Sequence, residues 1–171
     1  MIRIILHNGL RFIVLITLQV TLFKNMGYYN LAVPYPYIFF LLLLPIGIPN
    51  VLLYLIAFLT GITVDAFHDT LGVHAAACTA LALTRIAFVR ITLEPDHYDR
   101  LSTPLLGEMP FQWFLPYLFF TTITHHLALY MLAVFSFAQF HYTLLSTIFS
   151  CIFTVVVMLL FSLLLYRRKR R

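Results

Sequence analysis

Long apolar runs separated by short polar segments constrain this chain more than any other feature of its sequence. Of its 171 residues, 62% are hydrophobic and 10% are charged, whereas about a quarter of the residues in a soluble domain are charged. A soluble domain of this size has too little interior to bury so much apolar surface. A lipid bilayer accommodates it, at about 20 apolar residues for each helical crossing. We therefore expect an all-α, polytopic membrane bundle, with the whole chain, 1–171, forming a single integral membrane domain.

Six apolar runs predict about six transmembrane helices joined by short loops. The second run is only about half as long as a normal span, and Pro45 and Gly47 interrupt its end. It is either a short or broken span or a re-entrant segment, which a membrane tolerates only where protein buries the backbone. Tyr35 and Tyr37, just before it, are typical of interfacial aromatic residues. The six runs are 2–23, 38–48, 50–64, 73–91, 111–137 and 141–166.

Basic residues are distributed unevenly around these runs. The tail 167–171 consists of five basic residues directly after the sixth run, which is typical of a cytoplasmic anchor beside anionic headgroups. We favour this over nucleic-acid binding, because no basic patch continues into a folded module. With six spans, Arg3, Arg90 and Arg100 share one side with the tail, whereas Lys24 lies on the other. This distribution predicts a multi-pass protein of the cytoplasmic membrane with both termini in the cytoplasm.

Three polar residues, Asp65, His68 and Asp69, lie close together after the third run. Carboxylate and imidazole groups are common metal ligands, so a metal or proton site is one interpretation. The other is a solvated loop, 65–70, in which the two aspartates cap a helix end and form a turn before Gly72. We favour the loop, because no second cluster at ligand spacing accompanies it, and we expect no metal and no cofactor.

Three further polar residues lie inside apolar runs. The side chains of His125 and His126 point about 100° apart on a helix, which argues against a shared partner and favours helix-packing hydrogen bonds over a proton path. Arg85, in the fourth run, is expensive in lipid unless it is paired or reaches the headgroups. Snorkelling and a buried ion pair explain its position equally well. No constellation of serine, histidine and acid stands out in the sequence, so we expect no enzymatic activity.

The stretch 49–85, PNVLLYLIAFLTGITVDAFHDTLGVHAAACTALALTR, resembles the rod shape-determining MreD family. An apolar helix with Gly61 is followed by Asp65, Asp69 and Gly72, and then by a small-residue helix that leads to Arg85. The paired histidines and the FSFAQF stretch at 135–140 resemble the version of this family in Bacteroidetes-type bacteria. Small residues let helices approach closely in lipid, so the fourth helix is expected to be central in the bundle.

The resemblance implies a non-enzymatic membrane component of the bacterial wall-elongation complex, which controls cell shape and peptidoglycan synthesis. Its implied partners are the bitopic protein MreC and, indirectly, MreB, RodA and a penicillin-binding transpeptidase, together with membrane lipid and without nucleic acid. The implied fold is similar to the six-helix substrate-binding component of energy-coupling-factor transporters. The candidate interaction surfaces are the small-residue face of the fourth helix and the loops 65–72 and 92–109.

A small-molecule-binding membrane subunit of a transporter is the alternative function. Such a subunit would bring several polar side chains together around one internal pocket. The polar residues of this chain lie mostly at the ends of the apolar runs, which favours the first function.

Overall fold

The computed structural model describes residues 2–27, 32–94, 99, 101–134 and 140–165, with side chains from Leu6 onward. Within these ranges all regular structure is helical, which confirms the predicted all-α class. The basic tail, Asp96, Arg100, the side chain of Arg3 and all but the last residue of the FSFAQF stretch lie outside the described part. The helices are α1 (Ile2–Thr21), α2 (Ile38–Leu42), α3 (Asn50–His68), α4 (Val73–Thr92), α5 (Phe111–Val134) and α6 (Phe140–Leu164).

Five helical segments are long and apolar enough to cross a membrane: Leu6–Asn25, which contains most of α1, and the helices α3 to α6. Their outer faces carry large hydrophobic side chains such as Val51, Phe120 and Leu160, which are about half exposed or more. An apolar outer surface is stable against lipid and not against water. The fold is that of a multi-pass membrane protein.

The bundle is built around α4. Each of the helices α3, α4 and α5 packs against the helix that follows it, and α4 also contacts α2. The small side chains of Ala75, Ala77 and Cys78 are fully or almost fully buried. The prediction that the small-residue helix is central is confirmed.

The second apolar run is not a transmembrane helix, so the prediction of six such helices is wrong at this point. Only Ile38–Leu42 is helical, and all five of these side chains are buried. Proline has no backbone N–H and fixes its own φ, and the residue before a proline is pushed out of helical geometry. Pro36 therefore limits the helix on one side, and Pro45 limits it on the other.

This short helix and its flanks, residues 32–49, still traverse the bundle; we call them the broken segment. Near its start, the Tyr37 hydroxyl lies 3.0 Å from Nδ1 of His74, in the first turn of α4. Near its end, the N–H of Ile46 donates to the carbonyl of Ser102, in the loop after α4. The broken segment thus runs alongside α4 from the end of the bundle that contains Asp65 to the opposite end, which contains Ser102. We call these the Asp65 end and the Ser102 end.

The path of the broken segment determines where the chain begins and finishes. Lys24, just after α1, donates a hydrogen bond to the carbonyl of Phe67 at the Asp65 end. Since α1 leads to Lys24, α1 begins at the opposite end, the Ser102 end. The broken segment returns to the Ser102 end, the helices α3 to α6 then alternate in direction, and α6 therefore also finishes at the Ser102 end. The described residues traverse the bundle six times, in five long helices and one broken segment.

Candidate functional site

Asp65 connects the last turn of α3 to the first turn of α4. The predicted loop 65–70 is too long, because α3 continues through His68 and only 69–72 form the turn. The buried Asp65 carboxylate accepts hydrogen bonds from the backbone N–H groups of His74 and Ala75, each at 3.0 Å, and from the hydroxyl of Thr70. The first N–H groups of a helix have no partner within the helix, and Asp65 supplies one. Its predicted capping role is confirmed, whereas the prediction that it lies in a solvated loop is wrong, because Asp65 is buried within α3.

Left-handed backbone at two positions makes the turn between α3 and α4. Asp69 has φ 56° and Gly72 has φ 81°. A Cβ on Gly72 would meet no atom within 4 Å, so glycine is required there for its conformation and not for space. Aspartate is among the few other residues that adopt this region. Asp69 and Gly72 therefore shape the turn that brings the start of α4 to Asp65.

Gly61 lets α3 and α4 touch through their backbones. A Cβ at this position would lie 2.6 Å from the carbonyl oxygen of His74, and closer still to backbone atoms of Ala75. These are the two residues whose N–H groups Asp65 caps. Gly61 and Asp65, one helical turn apart, thus position the same two residues of α4, and the turn that contains Gly72 completes this junction.

Arg85 lies nearer the Ser102 end and is buried, with 2% of its surface exposed. Its Nη2 donates to the carbonyl oxygens of Leu44 at 2.6 Å and Pro45 at 3.1 Å, and its Nε donates to the Tyr117 hydroxyl at 3.0 Å. Both explanations offered by the sequence, snorkelling and an ion pair, are therefore wrong. The guanidinium supplies the donor that a continuous helix would have supplied to the Leu44 carbonyl. It is a second donor to the Pro45 carbonyl, which also accepts from the Ile48 N–H.

Four other side chains hydrogen-bond the backbone of the broken segment. They come from α1, α5 and α6, so most of the bundle contributes. The pairs are Gln19 with the Pro34 carbonyl at 3.4 Å, Tyr117 with the Leu42 carbonyl at 2.8 Å, Ser150 with the Val33 N–H at 2.9 Å and Thr154 with the Tyr35 N–H at 3.0 Å. Irregular backbone is stable at membrane depth only when its polar groups are paired, and these side chains pair them.

A buried cluster of histidines and tyrosines lies beside Asp65. The Tyr37 hydroxyl is 3.0 Å from Nδ1 of His74 and 2.8 Å from Nε2 of His125. Nε2 of His126 is 3.0 Å from the Thr154 hydroxyl, which links α5 to α6. We call these residues, with Tyr35, the histidine–tyrosine cluster. Its hydrogen bonds tie α4, α5 and α6 to the start of the broken segment.

Two predictions about this cluster are wrong and one is confirmed. Tyr35 and Tyr37 are not interfacial, since only 8% and 0% of their surfaces are exposed. His125 and His126 do share a neighbour, because the Tyr35 ring spans the angle between them, with ring centroids 6.3 and 5.5 Å away. The predicted packing hydrogen bond is present between His126 and Thr154.

The hydroxyl and amide side chains that hydrogen-bond the broken segment were not predicted from the sequence. One pattern in α6 does indicate them, because serine and threonine residues recur at helical spacing within an otherwise apolar run. Residues three and four apart share a helix face, so these hydroxyls predict a polar stripe toward protein. All of them are buried: Thr143, Ser146, Thr147, Ser150 and Thr154.

The predicted site residues divide into two places. Gly61, Asp65, Asp69 and Gly72 form the junction of α3 and α4, whereas Arg85 holds the far part of the broken segment. Among the described residues, no three His, Cys, Asp or Glu side chains are arranged to hold a metal ion.

Neither family models, nor curated proteins, nor solved structures match this chain.

Proposed function

We propose that this chain is a non-enzymatic component of the bacterial wall-elongation complex, similar to MreD, which binds a bitopic MreC-type protein. Through that partner it acts with MreB, RodA and a penicillin-binding transpeptidase on cell shape and peptidoglycan synthesis. The supporting observation is the junction of α3 and α4. The Asp65 carboxylate is used inside the protein, whereas the outer side presents Phe67, 49% exposed, and Leu71, completely exposed, beside the exposed Asp69.

The same observation selects among the candidate interaction surfaces. The small-residue face of α4 is occupied by its neighbours within the bundle, since Gly61 of α3 touches Ala75. The turn 69–72 is still available, and Leu71 projects from it. An exposed leucine on a rigid turn supplies apolar contact area with little ordering of the protein. The MreC-type partner is therefore proposed to contact the turn.

The proposed orientation places the Ser102 end in the cytoplasm. Arg90 is exposed at this end of α4, and α6 leads from this end into the tail 167–171. Lys and Arg are enriched on the cytoplasmic side of membrane helices. Both termini are then cytoplasmic, and Leu71 lies at the outer surface of the cytoplasmic membrane.

The test is co-purification with the MreC-type protein of the same cell, compared between Leu71→Asp and Leu101→Asp. Leu101 is also well exposed, at 56%, but lies at the opposite end of the bundle, in the other candidate loop, 92–109, so the two variants also decide between the two loops. We propose Leu71 as a hot spot of this interface, and replacing a hot-spot residue costs about 2 kcal/mol or more, so Leu71→Asp should lower recovery more than tenfold. Leu101→Asp should leave it unchanged. Equal recovery for both variants, with normal cell shape, would contradict the proposed contact.

One feature favours the transporter subunit, namely the buried histidine–tyrosine cluster, which contains several polar groups in one place. Its members are hydrogen-bonded to one another and to the broken segment, which supports a structural role for them instead. Crosslinking in native membranes separates the two functions by the chain that is captured. A bitopic wall-synthesis protein supports the wall-elongation complex, and an ATPase-coupled transport module supports the transporter subunit.

A further inference from the structure

An apolar groove of about 190 Å³ lies between α1 and α6. Its floor is formed by Phe39 and Leu43 of the broken segment, and its walls carry side chains such as Leu18 from α1 and Phe161 from α6. A cavity of about 150 Å³ lined by apolar side chains holds a benzene molecule. The groove is therefore large enough for part of one hydrocarbon chain.

A cation lies at the Ser102 end of this groove. Arg11 is part of its lining together with Leu164 and Leu165, where α6 finishes. The guanidinium donates one hydrogen bond, at 3.3 Å, to the neutral Asn8 side chain. Within the described part of the chain no carboxylate pairs with it. Arg11 lies inside the crossing segment Leu6–Asn25 but level with the end of α6, and it lines the groove with its aliphatic atoms only. Its long side chain therefore places the guanidinium at the rim of the groove, toward the lipid headgroups.

We propose that the groove binds one acyl chain of an anionic membrane phospholipid, with its headgroup phosphate paired with Arg11. The apolar walls match a hydrocarbon chain, and the guanidinium matches a phosphate, with which it forms two parallel hydrogen bonds. The basic run 167–171 begins two residues after Leu165, so the sequence adds positive charge at the same end. An apolar partner helix in the groove would instead leave the Arg11 charge unpaired.

The proposal is independent of the proposed function, and native mass spectrometry of the full chain tests it. The protein is released from nanodiscs that contain equal amounts of phosphatidylglycerol and phosphatidylcholine. One cation near the membrane surface changes the binding of an anionic lipid about fivefold. The unsubstituted chain should retain phosphatidylglycerol in preference to phosphatidylcholine by at least this factor.

Four variants test whether lipid retention depends on the charge of Arg11 and on the groove. Arg11→Gln should remove the preference, and Arg11→Lys, which keeps the charge, should retain most of it. Val14→Trp places a large ring on the exposed α1 wall of the groove and should reduce retention of both lipids. Arg90→Gln removes an exposed arginine at the same end of the bundle but outside the groove, and should behave like the unsubstituted chain.

Any of four results would overturn the proposal. Equal losses of preference in Arg11→Gln and Arg90→Gln would mean that general surface charge attracts the lipid. Full lipid retention in Val14→Trp would place the lipid outside the groove. No preference in the unsubstituted chain, or a protein helix found crosslinked in the groove, would show that the occupant is not an anionic lipid. Arg11→Lys shows why Arg11→Gln loses the preference. If the cause is the lost charge, Arg11→Lys keeps the preference. If the cause is a disturbed fold, Arg11→Lys loses it as well.

Discussion

Replacing Arg85 with methionine should destabilise the bundle, although it removes a buried charge. Two effects oppose each other. The guanidinium is costly to bury, by about 2.5–3.5 kcal/mol on membrane-insertion scales, and methionine removes this penalty. The same change leaves the buried Leu44 carbonyl without its donor, at about 1–3 kcal/mol for a buried acceptor. The Pro45 carbonyl loses one of two donors, because it also accepts from the Ile48 N–H.

The structure indicates which effect is larger. The Leu44 carbonyl is bonded in a buried site and falls in the upper part of that range, whereas the partly buried Pro45 carbonyl keeps the Ile48 N–H as a donor and adds little. The lost bond to the Tyr117 hydroxyl adds about 1 kcal/mol. The penalty for the cation has already been reduced by its three hydrogen bonds, so its removal offsets only part of this sum. We expect a net loss of roughly 1–2 kcal/mol in the free energy of unfolding.

The assay is reversible unfolding in mixed micelles, followed by the fluorescence of Trp113, the one tryptophan of the chain. Its ring stacks on Tyr117 with centroids 4.8 Å apart, so it reports on the partner of Arg85. The matched control is Arg90→Met, an exposed arginine on the same helix, which should change stability by less than about 0.5 kcal/mol. If Arg85→Met proves as stable as Arg90→Met, the guanidinium does not hold the broken segment, and its hydrogen bonds to Leu44 and Pro45 do not outweigh the cost of burying it.

Two further predictions concern the junction of α3 and α4, and the same unfolding assay measures both. Asp65→Ala should lose about 1–2 kcal/mol because the first turn of α4 loses its cap, and Asp65→Asn, which keeps one acceptor oxygen, should lose less; the reverse ranking would argue against capping. Gly61→Ala should lose about 1–3 kcal/mol by forcing α3 away from Ala75. Gly9→Ala, whose added Cβ meets no atom within 4 Å, should be neutral or slightly stabilising, and equal effects of the two alanines would contradict the close approach of α3 and α4.

The local features of the chain were predictable. The fourth run, 73–91, differs by one residue from α4, because Gly72 and the apolar pattern mark its start and length. The capping role of Asp65 was also predictable, since its acceptor oxygens serve residues only nine and ten positions later. Such interactions depend on nearby sequence, which local patterns represent well.

The role of Arg85 and the burial of Tyr35 were not predictable in the same way. Arg85 bonds a carbonyl 41 residues away, and the N–H of Tyr35 bonds a hydroxyl 119 residues away. No sequence pattern indicates that two groups so far apart in the chain are in contact in the fold. A polar residue in an apolar run therefore predicts that some partner exists, without identifying it.

Membrane location and the broken segment depend on the sequence in different ways. The free energy of transferring apolar side chains into lipid sums residue by residue, whatever the neighbours are, so composition and run length suffice to locate the chain in a bilayer. A crossing in which only five residues are helical depends instead on donors and acceptors from α1, α4, α5 and α6. Its hydrogen bonds to these helices need the assembled bundle, and the arrangement of the folded chain therefore decides that the second apolar run crosses as a broken segment.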